Sequence, residues 1–288
     1  MIGAGEELLL IDETLWLLRS ETGLPDYDFP IDRFFPCRRP WQRPPEVEVV
    51  GRGGAFEDYP ARFEELLGSG MRLVHTPEEH GRCSDLTQWY PLIEDLTPRS
   101  VWFDKAPEAG EVGRMLGWPV FVKGARRTSR HRRSLSIIDG PAAFSAAMAA
   151  YRDDPILRWQ RLVCREFVPL RPVEDPNPDR IPSSFEYRTF WWRGELAGFG
   201  PYWWEGLRYL ANEGEREAGL SVAREAGSRL DVAFLVVDIA ESLDGRWIVI
   251  ECNDGQESGY AGVSPLWLWQ EVLSIEKRVR MGLGGRPS

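Results

Sequence analysis

Asp238, Glu251 and Asn253 lie in FLVVDIAESLDGRWIVIECN, residues 234–253, a run that reads as two apolar strands around Asp244-Gly245. Taken as a two-residue turn, the strongest short hairpin signal, that dipeptide makes Leu243 face Arg246, Asp238 face Glu251 and Val236 face Asn253. Residues two apart on a strand share a face, and so do cross-strand partners. The three oxygen-bearing side chains are therefore expected on one side of one sheet. Two carboxylates directly opposite repel each other, and their apolar neighbours leave little water to screen them, so a cation is expected between them. Oxygen donors without His or Cys suit Mg²⁺ or Mn²⁺, and Mg²⁺ commonly shares its shell with substrate phosphates. The plain alternative is a solvated edge with Asp238 paired to an arginine, and a bulge near Ala240–Leu243 would break the register.

Cationic candidates are few. Of 35 basic residues only three are lysines: Lys105, Lys123 and Lys277. Lysine is a compact point charge on a flexible stem, so a chain built on arginine keeps lysine where the planar fork does not fit. Lys277 reads as an ordinary residue of the terminal helix. Lys105 precedes the helical segment APEAGEVGRMLG, and Lys123 ends the apolar strand in WPVFVKG, 118–124. Arg188 lies in FEYRTFWWRGELAGFGPYWW, which reads as two strands turning at Arg193-Gly194. The loop ARRTSRHRR, 125–133, holds five arginines and His131; it reads equally as a lid over an anionic ligand and as a solvated basic turn. Trp191, Trp192, Trp203 and Trp204 surround Arg188. Alternation puts Trp191 and Trp192 on opposite faces, so at most one joins a given pocket wall, and core packing is the commoner fate of tryptophan on strands.

The rest of the chain must position these groups. Residues 7–20 read as a strand and a short helix. Residues 24–45 hold six prolines and read as an extended arm, a packing or dimer element. VEVV, 47–50, is a strand ending in GRGG; AFEDYPARFEELLGSG is a helix, MRLVHT a strand, and TPEEH a capped helix start. This alternation predicts a small α/β unit over residues 1–100. SLSII (134–138) reads as a strand, PAAFSAAMAAYR (141–152) as a helix and RLVCREFV (161–168) as a buried strand. A proline-rich loop over 169–182, a helix over 214–230 and a closing helix over 264–279 complete an α+β chain.

In this order the motifs resemble the ATP-grasp fold, in which two α+β lobes grip ATP. The resemblance implies a domain over 101–288, with a small lobe at 101–166 and a large lobe at 167–288, behind the 1–100 unit. It implies that Lys105 and Lys123 face ATP phosphates, and that Glu166 with the backbone of Phe167 and Val168 borders the adenine. Arg188 would face the phosphates or an acyl intermediate, and Asp238, Glu251 and Asn253 would hold the metal. One arginine with two lysines, followed by IECNDGQESG, looks like an amidoligase-like clade. The implied reaction joins a carboxylate to an amine through an acyl phosphate, with ATP consumed, Mg²⁺ bound, and Arg188 and Lys123 as catalytic residues. A small-molecule kinase and a non-catalytic nucleotide-binding module are the alternatives; a stable phosphorylated product marks the first and binding without turnover the second. Asp254 or Glu257 would hold the amine, and Glu174 or Asp175 the ribose, unless these are merely solvated loop carboxylates. Loop 125–133 sits where the family has a phosphate-covering flap, although that flap is usually richer in Gly and Ser. Amino acids, peptides and protein tails are all open as substrates, and a homodimer is open as the assembly.

Composition narrows the classes further. With 288 residues, 43% apolar and 28% charged, the chain is of ordinary globular type. It holds no apolar run near the roughly 20 residues of a membrane helix, and its start has no secretory pattern. A net charge of −10 argues against nucleic acid as a partner. Four cysteines without metal spacing read as reduced thiols of a cytoplasmic protein, and His75 and His80 read as structural.

Overall fold

Alternating apolar residues open the first sheet of the computed structural model, which describes residues 3, 5–39, 42–56, 58–126, 133–154, 157–174 and 180–283. His131, Asp175 and positions 127–132 of the arginine-rich loop lie outside the described residues. β1 (Glu6–Ile11) and β2 (Leu15–Ser20) form an antiparallel hairpin. The short helix expected within 7–20 is thus a second strand. The reason is two-sided burial: Leu15 and Leu17 face one core and Leu18 another, a pattern a strand satisfies and an amphipathic helix does not. The proline-rich arm is pinned by a 3-10 turn at Ile31–Arg33 and by β3 (Cys37–Arg38), which pairs with β1. β4 (Val47–Arg52), α1 (Tyr59–Gly68) and β5 (Met71–Leu73) complete a sheet of order β3-β1-β2-β4-β5. α2 (Pro77–Ser84) starts on a capping box between Thr76 and Glu79, and α3 (Leu86–Ile93) follows.

The middle sheet, of order β6-β9-β7-β8, contains β6 (Ser100–Phe103), β7 (Val120–Gly124), β8 (Ile137–Ile138) and β9 (Leu162–Glu166). Its helices are α4 (Ala109–Leu116), α5 (Arg133–Ser136) and α6 (Pro141–Asp153). SLSII is therefore only partly a strand: β8 pairs with β7 at Ile137 and Ile138 alone, while Leu135 turns into the core from a helical turn. Val120, Val122 and Cys164 pack toward α4 and α6. The opposite face carries Phe121, Lys123, Val163 and Arg165, which share it by register.

The third sheet, of order β11-β10-β12-β13, is antiparallel throughout. It comprises β10 (Glu186–Trp192), β11 (Glu195–Pro201), β12 (Phe234–Glu241) and β13 (Trp247–Asp254), with α7 (Glu213–Leu230) and α8 (Pro265–Arg280). Arg193 and Gly194 both have positive φ, as a two-residue hairpin turn requires. One face packs Trp191, Leu235, Val237 and Cys252 with residues of α3 and α7. The other packs Phe190, Trp192, Phe234 and Val236 with α8 and with Leu9, Ile11 and Leu17 of the first sheet. Further along that second face, apolar residues give way to Arg188, Glu186, Asp238 and Glu251. The two tryptophans thus lie in opposite cores, as alternation predicts.

The β12–β13 hairpin pairs Asp238 with Glu251 and Val236 with Asn253. Its turn differs from the expectation. Ser242 N–H donates to Arg246 O at 2.8 Å and Gly245 N–H to Ser242 O at 2.9 Å, so three residues form the loop and Leu243 does not face Arg246. Gly245 takes the left-handed conformation that such a loop needs (φ 82°). A bulge between Asp238 and Ile239 then restores the pairing by one residue. Two single-residue offsets cancel.

Candidate active site

Lys123, at the end of β7, is 3% exposed and its ammonium is paired with the Glu251 carboxylate on β13. This ion pair joins the middle sheet to the third sheet. Next to Glu251 along the third sheet, Asp238 receives both arms of Arg188, Nε at 2.9 Å and Nη2 at 2.7 Å. Register makes the row continuous: Arg188 opposes Asp238, and Asp238 opposes Glu251. The Asn253 amide also hydrogen-bonds Glu251. Burial would raise the Glu251 carboxyl, but Lys123 holds it below its ordinary value. Burial pushes the Asp238 carboxyl up against the pull of Arg188. Arg188 itself would be lowered by burial and is held above its usual value by Asp238. Asp238 is 1% exposed, so it does pair with an arginine, but not at a solvated edge.

A cleft of about 360 Å³ opens between the two sheets. Lys123, Glu251, Phe121 and Arg165 line it, as do Glu166, Phe167 and Val168 where β9 runs out. Among the described hydrogen bonds, Glu166 N–H donates to Arg99 O at 2.8 Å, while none engages the peptide groups of Phe167 or Val168. The next residues leave that edge: Leu243 N–H donates to Pro169 O, and Leu170 bridges Ser242. Two peptide units thus remain open at an apolar cleft, a geometry suited to a flat heterocycle with its own donors and acceptors. Arg165 is fixed elsewhere, on Thr97, Ser100 and the Ile250 carbonyl, and burial lowers it to about 10.

The expected residues are not all brought together. Lys105 is exposed on the segment between β6 and α4 and is not among the residues lining the cleft. Glu174 accepts from Ser183, which lines the cleft. Trp203 joins the wall, Trp204 is 44% exposed, and Trp191 and Trp192 are core. Asp254 is no loop residue: it ends β13, is 0% exposed, and its carboxylate is filled. Oδ2 accepts from His75 Nδ1 at 2.9 Å, His80 Nδ1 at 3.1 Å and Gln256 Nε2 at 3.1 Å, and Oδ1 accepts from Gln256 N–H at 2.8 Å. An amine has no room there. Glu257 accepts from Phe56 N–H at 2.8 Å, and burial raises its carboxyl.

His75, Cys83 and Asp254 bring possible metal ligands within 4.8 Å of one another. The hydrogen bonding rules a metal out. Phe234 N–H donates to His75 Nε2 at 2.9 Å, so Nε2 is the bare nitrogen and the proton sits on Nδ1, toward Asp254. Arg126 donates to His80 Nε2 at 2.8 Å, which fixes the same tautomer there. The two carboxylates and amide of Asp238, Glu251 and Asn253 do fit a hard cation, because both carboxylates already carry positively charged partners.

Glu186 escaped the sequence reading, although it stands two residues before Arg188 and so shares its face. It lines the cleft, is 5% exposed, and accepts from Ser184 Oγ at 3.2 Å and Trp203 Nε1 at 3.1 Å. Burial, with the Asp238 charge, pushes it from 4.5 to about 8. Between those values the folded state binds a proton that the unfolded chain has released. Its stability is therefore full below the window and falls as pH rises through it. The melting temperature of the metal-free protein should drop from pH 5 to 8, and Glu186→Gln should flatten that slope. Equal slopes in both proteins would refute the protonated carboxyl.

Residues 88–272 match the model of an ATP-grasp domain family, the third of the clade designated by one arginine and two lysines. No curated protein matches the chain. In structure it is similar to a RimK domain protein ATP-grasp from Sphaerobacter thermophilus, with 15% identity, a TM-score of 0.54, and coverage of 79% of this chain and 80% of that one. It is also similar to the D-alanine–D-alanine ligase of Bacillus anthracis complexed with ATP, with 13% identity, a TM-score of 0.55, and coverage of 82% and 80%.

Proposed function

The chain belongs to the ATP-grasp family, in its clade of one arginine and two lysines, and on that premise we propose that it is an ATP-dependent carboxylate–amine ligase. The observation that carries the reading is the cleft, with open peptide edges at Phe167 and Val168 at one end and the Lys123–Glu251 pair at the other. Its volume, about 360 Å³, lies in the range of small-molecule sites. The apolar middle would take the purine, and the charged end the triphosphate.

In this reading Asp238, Glu251 and Asn253 hold Mg²⁺, which when bound offsets charge on the β- and γ-phosphates. Lys123 and Arg188 leave their carboxylates for phosphate oxygens and stabilise the charge that spreads over the transferring phosphoryl group. A carboxylate oxygen of the substrate attacks the γ-phosphorus and ADP leaves. The amine then displaces phosphate from the acyl phosphate and an amide forms. The protein's part is to orient and neutralise, and the closed wall of Phe121, Ile137 and Ile248 keeps water from the acyl phosphate.

Thermal melting with ATP or GTP, each with and without Mg²⁺, tests the site directly. A ligand at 100 times its Kd adds about 2.7 kcal/mol to the folded state. A magnesium-dependent rise with ATP is expected, followed by ADP release when amino acids and peptides are screened as donors and acceptors. No rise with millimolar nucleotide would reject the reading.

A further inference from the structure

We propose that Arg52 is a positioning residue for Arg188, acting through the segment 254–260; the inference rests on the nucleotide site proposed above. Arg52 ends β4, far in sequence from the cleft, and is 6% exposed. Its Nη1 donates to three converging carbonyls: Gly255 at 2.9 Å, Gln256 at 3.4 Å and Ser258 at 2.7 Å. Its guanidinium also lies 4.6 Å from the centre of the Tyr260 ring. Neighbouring contacts hold the same segment. Gly51 N–H donates to Gln256 Oε1 at 2.9 Å, and Tyr260 N–H donates to Asp26 O at 2.7 Å. The one carbonyl between Ser258 and Tyr260 is that of Gly259, and it accepts from Arg188 Nη1 at 2.8 Å.

Two arginines therefore grip one short segment from opposite sides. The difference between their bonds matters. Arg188's other two bonds both go to Asp238, a carboxylate that a cation would claim. Only the Gly259 carbonyl stays available to Arg188 when Asp238 changes partner. Arg52 fixes that carbonyl by filling the three before it. Without its guanidinium, buried carbonyls would lose their donor and the segment would shift to recover hydrogen bonds. A lysine would keep the charge but not the planar fork.

The test uses the whole chain with Mg·ATP and Mg·ADP in calorimetry. Arg188 would meet the γ-phosphate, which ADP lacks, so the ATP-over-ADP preference reports its aim. Arg188→Met is expected to lower that preference about tenfold, the worth of one charge-assisted bond. Arg52→Met should lower it similarly, the double variant should go no further, and ADP affinity should hold within about twofold. If Arg52→Met weakens ATP and ADP equally, or leaves the preference intact while Arg188→Met loses it, Arg52 is merely structural and the inference falls. If Arg188→Met itself leaves the preference intact, the inference falls with it. Should Arg52→Met fail to fold, Arg52→Lys is expected to give an intermediate preference, and a wild-type value would overturn the proposal. A wild-type protein that binds neither nucleotide removes the site reading itself, an outcome distinct from all of these.

Discussion

Glu251→Gln is expected to lower ADP release by a factor of about a hundred or more and, at the same time, to tighten the binding of ATP without magnesium. The two effects have opposite signs because Glu251 has two partners in prospect. It is one of two carboxylates expected to hold the metal, and its loss removes a charged oxygen from that set. It also holds the Lys123 ammonium, which is 3% exposed and makes no other hydrogen bond among the described residues. Before Lys123 can reach a phosphate, that bond must break. The neutral amide releases it, so metal-free ATP should bind about tenfold more tightly, the worth of one charge-assisted hydrogen bond. Calorimetry with ATP in excess chelator reads the second effect, and coupled detection of ADP reads the first. Unchanged metal-free affinity would show that the pair does not restrain Lys123. Unchanged turnover would remove Glu251 from the metal set.

Asp254→Asn should cost the fold about 3 kcal/mol or more, the usual result of removing one side of a buried charged network. Asp254 is fully buried and accepts from four donors supplied by His75, His80 and Gln256. An amide keeps one acceptor oxygen and puts an N–H₂ against an imidazole N–H. The carboxyl would be raised by burial but is held well below its ordinary 3.8 by His75 and His80. A carboxyl depressed in the folded state contributes stability above its unfolded value and loses it as pH falls toward the folded one. Wild type should thus lose stability below about pH 4, and Asp254→Asn should lose less there. Melting at pH 7 and across pH 2–5 checks both parts. An unchanged midpoint at pH 7 would mean that the His75–His80 cluster is not held by this charge.

What could be read from sequence was local. Alternation placed Trp191 and Trp192 on opposite faces, and the capping box at Thr76 and the turn at Arg193-Gly194 were plain in residue type. The Asp238–Glu251 pairing was reached through a turn that does not exist; the bulge made up for the extra loop residue, and no residue in Ile248–Glu251 announces a bulge. Glu186 was legible in principle, since period-two spacing puts it beside Arg188. Lys105 was chosen by residue type alone, and type does not say which way a segment turns after a strand. The grip of Arg52, His75 and His80 on residues 254–258 had no local signature. Those partners are 174 to 206 residues apart, and isolated arginine and histidine residues show no periodicity.

The core shared by the first and third sheets has a consequence for how the chain is made. Leu9, Ile11, Leu17 and Val50 are covered by Phe190, Phe234, Trp269 and Leu273. During synthesis the first sheet emerges long before its cover, and so it must wait with apolar surface exposed. Contacts this distant in sequence are slow to form and leave an intermediate prone to association. A fragment restricted to the matched span 88–272 would meet the reverse difficulty. It would keep Asp254 and the carbonyls of 255–258 but lack Arg52, His75 and His80 to satisfy them. Such a fragment should misfold or aggregate on expression, and supplying residues 1–87 as a separate chain should recover soluble material.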